Sequence, residues 1–216
     1  MALSKADFNN INVTPVASKK LKWNASANGF ETGDVGGSMV LLSTLTASSS
    51  ATLDFTSGID STYKEYVFKF IDIHPQTNFR HLGFQANVAG ASGFNETITS
   101  TAFINQHDEG DSATILQLEG DGIQQQATGF QIVLYGMGNE NDESGNGTLH
   151  LFDPSNTTFV KHFIADTNTH TDNDRSSRLF AGGYFNTTSA IDEIQFKMSS
   201  GNIDSGVIKM YGVGDK

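Results

Sequence analysis

The residues of this chain that could do chemistry are few, and their spacing decides against most of it. His107-Asp108-Glu109 is the one tight cluster of imidazole and carboxylates. Consecutive side chains on an extended segment point in opposite directions, so these three do not converge on one ion or one substrate atom. The segment 105–112 reads as a solvated polar loop. His74 precedes Pro75, where a strand-ending turn accounts for it. His81, His150 and His162 lie beside apolar strand residues, and a hydrogen-bonded structural role is the simplest reading. No His-x-His or His-Glu-x-x-His spacing occurs, so zinc chemistry has no support.

Asp166, Asn168, Asp172 and Asp174 place oxygen donors at alternate positions, interrupted by His170. On an extended segment they would face one way, and calcium could use such an edge. The glycine and terminal glutamate of an EF-hand loop are missing, and polar alternation equally fits an exposed loop. Asp166, Asp172 and Asp174 are therefore weak metal candidates, and no cofactor is expected. The loop 138–146 is also acidic and glycine-rich, and reads as a solvated connection.

Nucleophile chemistry fares no better. There is no cysteine, no Gly-x-Ser-x-Gly elbow, no phosphate-cradling loop and no dinucleotide fingerprint. The expectation is a non-enzymatic protein.

The elements that must position these residues are strands. From Ser38 onward, short apolar runs alternate with polar turns. They span 39–45, 51–55, 63–73, 79–88, 97–104, 113–118, 130–135, 148–152, 158–165, 179–185, 191–198 and 207–213. In the strongest run Tyr66, Phe68 and Phe70 share one face, with Val67, Ile71 and Ile73 on the other. No window carries a helical stripe over three turns. About 11–12 strands and no long helix imply an all-β, antiparallel β-sandwich of jelly-roll-like kind, one domain over residues 37–216. Its expected core is Phe68, Phe70, Ile71, Phe130, Val133, Phe163, Ile194, Phe196, Ile208 and Met210.

Composition agrees. Of 216 residues 37% are hydrophobic and only 17% charged, yet 16 Phe supply bulk for a core. The net charge of −11 argues against nucleic acid and against an anionic membrane surface. No apolar run approaches a membrane span, so no membrane insertion is expected.

Residues 1–36 differ from the rest. Four lysines against three acidic residues give this segment +1, leaving −12 for the remainder. Phe8, Ile11, Val13, Trp23 and Phe30 are scattered without a sustained period, which predicts an extended arm or hairpin docking on a partner. A first edge strand of the sandwich is the alternative.

Several stretches resemble virion proteins of tailed bacteriophages, the uncharacterised structural proteins of marine phages above all. They are 8–15 (FNNINVTP) with 27–31 (ANGFE), 61–70 (STYKEYVFKF), and 191–212, where a strand, a glycine turn and a closing strand end in Tyr211-Gly212. The resemblance implies a structural protein made in a bacterial cytoplasm and located in the virion. It would serve as a tail fibre, spike or capsid decoration, partnered by further copies of itself (a trimer) and by other virion proteins, with a host surface glycan as a further partner. The alternative is a lectin-like module binding carbohydrate or calcium.

Overall fold

The computed structural model describes residues 13, 14, 16, 19–26, 28–34 and 39–214. They divide into two units, Met1–Ser38 and Met39–Gly214. The described part of the first is a hairpin of β1 (Lys19–Trp23) and β2 (Phe30–Asp34), with Trp23 directly opposite Phe30. Its turn is held by Asn24, whose backbone N–H donates to the Gly29 carbonyl at 3.0 Å and whose side-chain oxygen accepts from the Asn28 N–H.

The second unit is an antiparallel β-sandwich nearly closed into a barrel. Its strands are β3 (Met39–Thr46), β4 (Leu53–Phe55), β5 (Glu65–Pro75), β6 (Arg80–Val88), β7 (Ile98–Asp108), β8 (Thr114–Leu118), β9 (Gln125–Ala127), β10 (Gln131–Met137), β11 (Gly145–Phe152), β12 (Lys161–Thr171), β13 (Arg175–Phe185), β14 (Ile191–Met198) and β15 (Ile203–Val213). One layer runs β3-β15-β5-β11-β12-β13-β7, with β8 and β9 both pairing the far side of β7. The other runs β10-β6-β14-β4. The chain crosses between layers repeatedly, the trait of a jelly roll.

Phenylalanines fill the space between the layers. Phe84 of β6 meets Phe163 of β12 edge-on, with ring centres 5.0 Å apart. Phe196 of β14 meets Phe68 and Phe70 of β5, each at 5.5 Å. Edge-to-face rings place a positive rim against a negative face, adding about 0.5–1.5 kcal/mol per pair beyond area burial. The inward rows follow the two-residue period of a strand: Phe163, Ala165, Thr167, Thr169 and Thr171 of β12 are all buried.

Where β10 closes onto β12 the inward residues change from apolar to threonine. Only one residue pair, Met137 with Thr171, is in ladder register there. The Thr167 hydroxyl instead donates to the Val133 carbonyl at 2.5 Å, and the Thr169 hydroxyl to the Tyr135 carbonyl at 2.7 Å. Side chains thus take over the hydrogen bonding that the ladder does not supply.

Four sequence expectations need correcting. In β5 Asp72 has φ +50°, a bulge that shifts the alternation by one residue. Ile73 therefore joins Tyr66, Phe68 and Phe70 in the core, whereas Ile71 is only half-buried. Beside this bulge run Gly147 (φ +151°) and Gly206 (φ +116°). A Cβ at either would stand 2.6 Å from a backbone oxygen, so glycine is required at both. Phe130 also lies outside the core, half-buried just before β10, with the Lys197 ammonium 3.9 Å above its ring. Finally, His107 and Asp108 belong to β7 and not to a loop: the strand pairs β13 over eleven residues, up to Asp108 opposite Arg175. With β9 included, the sandwich has thirteen strands rather than eleven or twelve.

Candidate functional surfaces

The carboxylates singled out by spacing do not come together. Asp166 lies on the outer face of β12, held by Arg178 of β13 through two parallel hydrogen bonds of 2.9 and 2.7 Å. Asp172 and Asp174 sit in the turn between those strands, five to six strand residues beyond Asp166 and so roughly 15–20 Å away. Asp172 accepts from the Asn173 amide at 2.9 Å. Among the described residues no three His, Asp or Glu side chains are grouped to hold a metal ion.

The histidine cluster is split by the pleat. His107 faces outward and meets Asp111 at 3.0 Å, while Asp108 turns back to organise its own turn. The Asp108 carboxylate accepts from the Ser112 hydroxyl and from the Ser112 and Ala113 N–H groups. These bonds, the Ser112 hydroxyl first, hold its pKa down at about 2. Two further histidines have structural partners as well. His150 Nδ1 lies 2.6 Å from Glu65, and His74 Nε2 lies 3.0 Å from the Glu140 carbonyl.

His81 is the most constrained. Its Nδ1 accepts from the Gly136 N–H at 2.8 Å, which places the ring proton on Nε2, and the ring stacks on Tyr135 at 4.6 Å. Burial lowers its pKa, because a second proton would be poorly solvated and would oppose the Gly136 N–H.

Spacing gave no hint of three buried ionisable groups. Lys161 is wholly buried at the start of β12, its amine donating to the Phe159 carbonyl at 2.7 Å, and burial lowers its pKa. Glu119 accepts from the Asp121 N–H and bonds Tyr135, and burial raises the pKa of both Glu119 and Tyr135. Glu143 is buried against the Glu140 N–H at 2.5 Å. Each closes a turn or caps loose backbone groups.

Apolar surface is more informative. Trp23 and Phe30 stack at 4.4 Å across the hairpin, yet stand 62% and 41% exposed, with Leu21 at 43% beside them. On the opposite face Lys22 pairs with Glu31 at 3.3 Å and its stem lies where a Cβ of Gly33 would be. Val13 is half-buried, and Phe8 and Ile11 lie outside the described residues. A second apolar group lies on the outer face of the sandwich, where Phe103 of β7 stacks on Phe180 of β13 at 4.9 Å. Leu116, Leu118 and Ile164 stand exposed near it.

No family model, no curated protein and no solved structure matches this chain. Function must be argued from these surfaces.

Proposed function

We propose that this chain is a non-enzymatic structural protein of a bacteriophage particle, an appendage or capsid decoration that docks through its N-terminal segment. The observation that carries the docking role is the Trp23–Phe30 pair. Two large rings are pre-stacked on a hairpin and left in water, where burying each on a partner would contribute about 1.5–3 kcal/mol. Aromatic anchors held in one conformation bind at low entropic cost, and such residues dominate interface energetics. The lysines of this segment complement the acidic body of an adjacent copy. The particle part of the reading rests on the resembling stretches 8–15, 27–31, 61–70 and 191–212.

The non-enzymatic part rests on the way three of the candidate groups are engaged. Asp166 is clamped by Arg178, Asp108 by its own turn, and His81 by a backbone N–H. An antibody against the chain should label tailed phage particles purified from the source culture. Labelling confined to particle-free material would contradict the assignment.

A further inference from the structure

The strand β8 reads Thr114-Ile-Leu-Gln-Leu118, with no charge and no proline. Those are the devices that normally protect a sheet edge from pairing with another chain. Among the described residues nothing pairs its outer side. The ladder to β7 fixes which backbone groups are left over. The Asp108 N–H donates to the Ala113 carbonyl, and the Glu119 N–H to the Ala102 carbonyl. Hydrogen-bonded pairs therefore fall on the odd-numbered residues of this strand. The N–H and C=O groups of Thr114, Leu116 and Leu118 point to the open edge.

The side chains at that edge are equally unprotected. Leu116 and Leu118 are 72% and 70% exposed on the outer face. Leu118 lies opposite Phe103, which lies opposite Phe180, so one apolar row leads from β13 to the edge.

We propose that β8 is the edge through which two copies of this chain pair, antiparallel and centred on Leu116. Unsatisfied ladder groups at alternate residues call for an extended strand, not a helix or a small molecule. A second β8 supplies a matching set: Leu116 meets Leu116 of the other copy, and Thr114 meets Leu118 in both directions. That register forms about six new backbone hydrogen bonds. It brings no like charges together on the strand, and it joins the two apolar rows into one. The pairing is isologous, so it closes as a dimer rather than continuing as a fibre. Both copies carry −11, so added salt strengthens the association by screening their repulsion. The surface lies wholly in the second unit and stands independently of docking by the hairpin.

The chain has no cysteine, which makes the register directly readable. In the full chain, Leu116→Cys places two thiols on residues whose Cα atoms are about 5.5 Å apart, within disulfide reach. Leu118→Cys separates them by about 13 Å. Mild oxidation should link the first variant into a covalent dimer and leave the second unlinked. Leu116→Lys should weaken self-association at least about tenfold in sedimentation velocity, with the melting temperature of the sandwich unchanged. A native chain that sediments as a monomer even in high salt would overturn the proposal. So would equal cross-linking of both cysteine variants, or a Leu116→Lys chain that dimerises as well as the native one.

Discussion

The Thr169 hydroxyl of β12 donates to the Tyr135 carbonyl of β10 at 2.7 Å, joining two layers that share almost no ladder. Thr167 does the same for Val133 two residues earlier. Valine matches threonine in shape but cannot donate. Thr167→Val and Thr169→Val should each cost about 1–3 kcal/mol in denaturant unfolding, the cost of leaving a buried carbonyl unsatisfied. A change below about 0.5 kcal/mol in both would show that the seam is held by packing alone.

Phenylalanine truncations should separate core from rim. Phe84→Ala removes a wholly buried ring that meets Phe163, Phe185 and Phe196, and should cost about 3–5 kcal/mol. Phe130→Ala removes a half-buried ring covered by Lys197, and should cost about 1 kcal/mol or less. Equal losses in urea titrations would mean that Phe130 belongs to the core after all.

The contrast shows what the sequence can reveal. Twelve of the thirteen strands of the sandwich were legible as apolar runs between polar turns, because burial between two layers imposes a two-residue period. Phe130 was not separable from Phe163 by type, since both are large apolar residues at strand positions. The bulge at Asp72 was invisible for another reason. Its cause lies in the neighbouring strand β15, where Gly206 lets the backbone of Asp72 and Ile73 approach closely. The threonines of β12 were hidden by the acids on either side of them: Asp166, Asp172 and Asp174 looked like ligands, while Thr167 and Thr169 close the sandwich.

Acid should destabilise the sandwich through His81. Its folded-state pKa is depressed, so the stability it contributes is present above its unfolded value of about 6.5 and is lost as pH falls from there toward the lower folded value. The Gly136 N–H then faces a ring N–H. His81→Gln retains an acceptor without titrating, so its melting temperature should fall less than that of the native chain between pH 7 and pH 5. Identical pH profiles would remove His81 as the cause.

Replacing the exposed rings of the hairpin should separate folding from docking. Trp23→Ser with Phe30→Ser should leave the unfolding transition of the sandwich within about 0.5 kcal/mol of native, since exposed residues contribute little to stability. The same variant should no longer co-purify with the particle. A large loss of stability would make the segment an integral part of the fold, as an edge strand would be.

The most direct test of the whole account is an electron-microscopy map of the purified particle. The account predicts a two-layered β-sandwich on its exterior, with the hairpin seated on a neighbouring subunit and Trp23 and Phe30 buried in that contact. A particle map with no such density, or one in which the hairpin projects into solvent with both rings uncovered, would contradict it.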